Sequence, residues 1–182
     1  MPDIYGEKVR LRAVQREDLD NFMGWVNDPE VGEHISFVFP MSRAEEEQWI
    51  ERVVSGDDHN SQVLVVQIFD GTYLGNIGLH QIDQRVGRAT LGIVIGKKEE
   101  WGKGYGTDAL CALLDFSFNT LNLQKVDLMV KENNERAIHL YRKCGFNEVG
   151  RLPRHEYRGG KYIDMLWMSV LREDFQEIKH TN

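Results

Sequence analysis

The 182-residue sequence is poor in several things, and each scarcity removes a class of function. No apolar run approaches the ~20 residues that span a bilayer, so no membrane helix is expected. The opening stretch M-P-D-I-Y-G-E-K-V-R has no apolar h-region, so no secretory leader is expected and the cytoplasm is the expected compartment. The 2 cysteines, Cys111 and Cys144, show neither C-x-x-C pairing nor metal spacing. They read as small core hydrophobes in a reducing compartment, with no metal expected. There are only 4 prolines, and no repeat, low-complexity tract or Pro/Gly/Ser linker, so residues 1–182 read as a single domain. Basic charge is in deficit: 22 Lys and Arg against 29 Asp and Glu leave a net charge of −7, which argues against a nucleic-acid partner. The acidic balance suits a cationic substrate such as an amine, and equally suits plain solubility.

What is present is the makeup of a globular protein, 41% apolar and 28% charged. K-V-R-L-R-A-V (8–14) alternates with period two and predicts a strand. Leu19, Phe22, Met23 and Val26 then share one helical face, and that helix should stop at Asp28-Pro29. Ser42 and Glu45 form a capping-box pattern opening a second helix with Trp49, Ile50, Val53 and Val54 inward. Strands follow at 62–69 and 72–82 around an Asp70-Gly71 turn, and a third at 89–96. A long helix is expected from about Thr107 to Leu121, a strand at 125–130, a short helix ending at Gly145, and a last hairpin turning at Gly159-Gly160. A strand–helix–strand crossover of this size makes its two strands parallel. The expected fold is therefore mixed α/β (α+β), an antiparallel N-terminal meander with a central parallel strand pair, flanked by helices.

One stretch, E-E-W-G-K-G-Y-G-T-D (99–108), places Gly102, Gly104 and Gly106 between a strand and a helix. The first turn of a helix has amides without acceptors and the positive end of the dipole, and glycines let an anion come close to both. A tight loop without a ligand is the plain alternative, at an entropic cost for each glycine. A Walker A loop is excluded: Gly96 is one residue too early for Gly102-Lys103, and Gly104 stands where Ser or Thr would bind magnesium. Gly104-Tyr105-Gly106-Thr107-Asp108-Ala109 does match G-x-G-x-x-A, so a dinucleotide site stays formally open, although the strand meander before it is wrong for that fold.

A second motif lies downstream, where residues 134–146 read N-x-x-A-x-x-L-Y-x-x-x-G-F. In order and spacing with the strand–glycine–helix unit, this resembles the GNAT superfamily of acetyl-CoA-dependent N-acetyltransferases. The likeness is strongest to its branch of ribosomal-protein alanine and spermidine N-acetyltransferases, and it extends to K-V-R-L-R, W-V-N-D-P-E-V, E-E-E-Q-W-I and E-Y-R-G-G-K-Y-I-D. The resemblance implies acetyl-CoA as co-substrate, with its pyrophosphate on the amides of Trp101, Gly102, Lys103, Gly104, Tyr105, Gly106 and Thr107. It implies the pantetheine arm as an extra strand beside Gly92–Ile95, and an oxyanion donor among Ile93, Val94 and Ile95. Asn134 and Ala137 would contact the coenzyme, and Lys103, Arg142 and Lys143 could meet phosphates. Tyr141 resembles the family tyrosine that protonates the leaving thiolate; without the motif it reads as an aromatic at the edge of a core. Trp101 departs from the usual Gln/Arg, and Thr90 stands where relatives often have a glutamate.

Direct attack by a neutral amine needs an acceptor for its proton and donors for the developing oxyanion and the thiolate. Glu33, His34, His80 and Glu156 are candidate bases, and a water chain is the alternative. The acceptor that the resemblance implies is a primary amine: a protein N-terminus, a polyamine or a small amine. Segment 28–50, with Glu30, Glu33, Glu45, Glu46 and Glu47, is acidic enough for a cation, although a helix dipole explains the three consecutive glutamates equally well. A non-catalytic acetyl-CoA-binding module is the other class of function kept open. The hairpin 154–170 carries enough aromatic and aliphatic surface for a homodimer contact.

Overall fold

The computed structural model describes residues 2–35 and 39–181, with side chains up to residue 177. Residues 36–38, part of the 28–50 segment expected to border an acceptor pocket, lie outside the described residues. Among the described residues there are eight strands: β1 (Ile4–Tyr5), β2 (Val9–Ala13), β3 (Gln62–Ile68), β4 (Tyr73–Asp83), β5 (Arg88–Ile95), β6 (Lys125–Lys131), β7 (Asn147–Arg158) and β8 (Lys161–Leu171). The helices are α1 (Leu19–Val26), α2 (Pro29–Gly32), α3 (Arg43–Ser55), α4 (Tyr105–Asn119), α5 (Glu135–Lys143) and α6 (Arg172–Thr181). The chain divides into two compact units, Met1–His80 with Gly92–Leu113 and Gln81–Leu91 with Leu114–Asn182.

In the first unit β1, β2, β3 and β4 follow one another as antiparallel neighbours. Val63 and Val65 lie opposite Gly78 and Asn76. The two valines cluster with Phe22 and Ile50, with Leu19, Trp49, Val53 and Val54 packed against them, so α1 and α3 cover this face of the sheet. Ser42 caps α3, accepting from the Glu45 amide while the Glu45 carboxylate accepts from the Ser42 amide, which is the capping box read from the sequence. The pairing of β3 with β4 slips by one residue at Leu74, between Val66↔Gly75 and Gln67↔Tyr73. Beyond the slip, the Leu74 carbonyl accepts from the amides of Gly96 and Lys97 at 2.8 and 3.1 Å. A Cβ at Gly75 would run into the Val94 backbone, so β4 and the second half of β5 approach as closely as a missing side chain permits.

In the second unit β5 pairs in parallel with β6 over Arg88↔Lys125, Ala89↔Val126 and Thr90↔Asp127, and β5 continues five residues past that register. The hairpin joins through β8, which pairs with β6 from Lys125↔Leu171 to Lys131↔Met165 and with β7 on its other side. Phe118, Leu128, Met168 and Val170 are fully buried, and Phe175 of α6 packs on Phe118 with ring centroids 5.5 Å apart. The expected mixed sheet, meander and parallel pair are present. Relative to expectation, α4 runs Tyr105–Asn119 rather than from about Thr107 to Leu121, and α2, α6 and β1 are additional elements. Cys144 is buried as expected, whereas Cys111 is half-buried.

Candidate functional site

The glycine stretch lies in the first unit with the second half of β5. Gly102 and Gly104 have φ of +78° and +87°, a region that side chains other than glycine's resist. Gly106 and Thr107 belong to the first turn of α4, whose first helical hydrogen bond runs from the Asp108 amide to the Gly104 carbonyl at 3.0 Å. The amides of Tyr105 and Gly106 therefore have no carbonyl one turn back, and they sit at the positive end of a 15-residue helix. A Cβ at Gly102 would meet nothing within 4 Å, so the turn is open above its backbone. These features fit a pyrophosphate.

Two side chains fix this turn. The Trp101 indole N–H donates to the Ile95 carbonyl at 2.7 Å, tying the loop to the end of β5. A Gln or Arg cannot present a flat ring and a single donor in this way, and the bond gives Trp101 a structural role of its own. The Asp108 carboxylate accepts the amides of Glu7, Lys8 and Val9 at 2.9, 2.8 and 3.0 Å, clamping the β1–β2 turn to the start of α4. Gly6 leaves room for it, since a Cβ there would strike the carboxylate. The clamp also brings in a cation that sequence reasoning missed. Lys8 Nζ donates to the Lys103 carbonyl at 3.3 Å and lies beside Gly104, while Lys103 itself is paired with Glu100 at 2.9 Å. Ile93, Val94 and Ile95 are all half-buried, with no alternation of inside and outside.

The acidic segment is mostly committed to other partners. Lys98 bridges Asp28 at 2.8 Å and Glu30 at 3.1 Å, Glu45 serves the capping box, and Glu47 pairs with Arg43 at 3.2 Å. Glu46 differs: the residue is 4% exposed, and no cation is paired with its carboxylate among the described residues. Burial pushes its carboxyl up, with the charge of Glu45 adding to the shift. Of the base candidates in this unit, Glu33 and His34 are exposed at the end of α2, and His80 is half-buried at the end of β4.

In the second unit Asn134 caps α5, its side-chain oxygen accepting from the Ala137 amide at 3.1 Å, so capping occupies that oxygen and leaves the side-chain amide hydrogens to other partners. Tyr141 is 8% exposed and packs against Phe146 with centroids 5.8 Å apart. Burial, then the neighbouring Cys144, pushes its phenol up to about 12, which keeps the proton on the oxygen across the working pH range. Arg142 and Lys143 are exposed on the last turn of α5. Glu156 is bound to the buried Lys131 at 2.7 Å and is thereby withdrawn from service as a base.

Residues 8–147 match the family model of the acetyltransferase (GNAT) domain. The chain belongs to the GNAT acetyltransferase family. It is 32% identical to the spermidine N(1)-acetyltransferase of Escherichia coli (strain K12) over 170 residues, covering 92% of this chain and 88% of that one. An uncharacterized N-acetyltransferase p20 of Bacillus licheniformis is 27% identical over 179 residues, 96% of this chain and 99% of its own. Among solved structures, the spermidine N-acetyltransferase of Vibrio cholerae in complex with CoA and spermine superposes with a TM-score of 0.85 at 29% identity, covering 93% of this chain and 98% of that one. This acetyltransferase uses acetyl-CoA and transfers the acetyl group to an amine. The dinucleotide alternative for the glycine stretch falls away with that.

Proposed function

We propose that this acetyltransferase acts on a polycationic amine of the polyamine class. The carrying observation is Glu46, a residue 4% exposed whose carboxylate meets no cation among the described residues, on a helix whose neighbouring Glu45 and Glu47 are engaged by Ser42 and Arg43. A carboxylate removed from water is costly unless it meets a cation. A second ammonium on the acceptor supplies one, whereas a protein N-terminus offers a single amine that must react. The similarity to spermidine acetyltransferases over nine-tenths of the chain supports the same reading.

In this proposal the amides from Trp101 to Thr107 receive the pyrophosphate, and Gly92–Ile95 aligns the pantetheine as an added strand. An amide among Ile93–Ile95 meets the oxyanion. Asn134 and Ala137 contact the coenzyme, Lys103, Arg142 and Lys143 stand by as phosphate cations, and Tyr141 gives its proton to the departing sulfur. We read the chain as a single-domain cytoplasmic enzyme. A homodimer through the β7–β8 hairpin, where exposed Tyr157 and Tyr162 lie 4.9 Å apart, belongs to the same proposal.

The test follows free CoA thiol after mixing protein and acetyl-CoA with spermidine, spermine, N-terminal peptides or an amino sugar. Spermidine or spermine should give the highest kcat/KM. Glu46→Gln should raise the polyamine KM about 10-fold, equivalent to ~1.4 kcal/mol, and leave the acetyl-CoA KM in place. A preference for peptide N-termini, or an E46Q enzyme with unchanged polyamine KM, refutes the acceptor assignment.

A further inference from the structure

We infer that His80 is the general base that takes the proton from the attacking amine, with Ser61 as the residue that positions its ring. The inference rests on the acetyl-transfer reading above and concerns a step for which the sequence offered four candidates. Gly78 and Asn76 lie opposite Val63 and Val65, which mark the sheet face covered by α1 and α3. His80, two residues beyond Gly78, lies on that same face, the side of the acidic segment. Its ring reaches across to β5: a Cβ built on Gly92 would be 3.4 Å from Nε2 and 3.6 Å from Cδ2. Because residue 92 is glycine, that volume is empty, and Nε2 faces it at the first residue of the stretch that also supplies Ile93–Ile95.

The other ring nitrogen is occupied. Nδ1 lies 2.6 Å from the Ser61 hydroxyl oxygen. With the proton on Nδ1 and directed at that oxygen, Nε2 carries the lone pair and points into the gap at Gly92. Burial depresses the basicity of the imidazole, and Asp58, the charged group acting on it, offsets this in part. The ring is therefore neutral at neutral pH and able to accept a proton. Ser61 is held by the same turn, its amide donating to the Asp58 carbonyl at 3.2 Å. The step balances: the amine nitrogen forms the C–N bond and gives its proton to Nε2. The C–S bond breaks, the sulfur takes a proton from a donor, and solvent returns both groups to their starting states.

The experiment measures kcat and kcat/KM for spermidine from pH 5 to 9 in wild type, His80→Gln and Ser61→Ala, with acetyl-CoA binding followed separately. Wild type should lose activity on acidification through a limb below the ordinary imidazole value. H80Q should lose about 10²-fold or more in kcat together with that limb, at unchanged acetyl-CoA affinity. S61A keeps the imidazole but removes a hydrogen bond that favours its charged form, so the limb should move to lower pH. A folded H80Q with kcat within threefold of wild type and the same limb overturns the inference and leaves the proposed function standing. If H80Q fails to fold, S61A decides, and an unmoved limb there overturns it equally. A wild-type enzyme that binds acetyl-CoA and releases no thiol with any amine overturns the proposed function itself, and the inference with it.

Discussion

Asp108 offers a test in which structure and simple electrostatics predict opposite signs. It stands in the first turn of α4, beside the amides proposed to hold two phosphates, so Coulomb's law alone says that removing its charge should tighten acetyl-CoA binding. The structure says the reverse, because the carboxylate is turned away, onto three amides of the β1–β2 turn. Hydrogen bonds to a charged acceptor contribute roughly 1.5–3 kcal/mol when desolvated and much less where water can replace them. Glu7 and Lys8 are exposed and Val9 is fully buried, so about 2 kcal/mol falls to Val9 and about 0.5 kcal/mol to each of the others, near 3 kcal/mol in all. For a chain of this size that lowers the melting temperature by about 6–12 °C in Asp108→Ala. Asp108→Asn keeps one oxygen; placed where Lys8 and Val9 share it, that oxygen limits the loss to about 1 kcal/mol and 2–4 °C. Scanning calorimetry on both variants, with the acetyl-CoA KM from the thiol assay, reads every quantity. The expected order is wild type above D108N above D108A in stability, with KM rising in the same sequence. An acetyl-CoA KM that falls in D108A, or a melting temperature within 2 °C of wild type, refutes the clamp.

Trp101→Phe keeps the ring and removes the donor to the Ile95 carbonyl; losing about 1 kcal/mol of loop fixation should raise the acetyl-CoA KM about fivefold with kcat within twofold. An unchanged KM would show that the backbone alone sets the loop. Tyr141→Phe should lower kcat by about 10²-fold at every pH between 6 and 9 while coenzyme affinity stays level, since its phenol remains protonated over that range. Unaltered turnover removes Tyr141 as the thiolate's proton donor.

Patterns carried by neighbours in sequence were legible in advance. The alternation in β2 and β3, the α1 face with Phe22 and Val26, the Ser42–Glu45 box and the parallel β5–β6 pair all follow from rules that act over a few residues or one crossover. The missed elements have little local signal. β1 is 2 residues long, and α6 is a mainly polar segment anchored by Phe175 against Phe118. The devices that shape the candidate site were also illegible, because their partners are far apart in the chain. Asp108 meets residues about a hundred positions away, Lys8 reaches Gly104 by the same contact, and His80 faces a gap that exists because residue 92 is glycine.

The run Glu45-Glu46-Glu47 shows why composition could not settle the acceptor. Successive helical residues point about 100° apart, so three identical side chains enter three environments. Glu45, at the third helical position, folds back to cap the helix with Ser42 and is held low by that bond. Glu47, two residues on, reaches one turn back to the exposed Arg43. Glu46, between them, is turned inward and has its pKa raised by burial instead. A helix dipole rewards all three alike and explains their presence, but it does not explain why one of them is buried without a cation among the described residues. That asymmetry, which depends on the rotation of α3 against the sheet rather than on the count of acidic residues, is what turns a generically acidic segment into an argument for a positively charged acceptor.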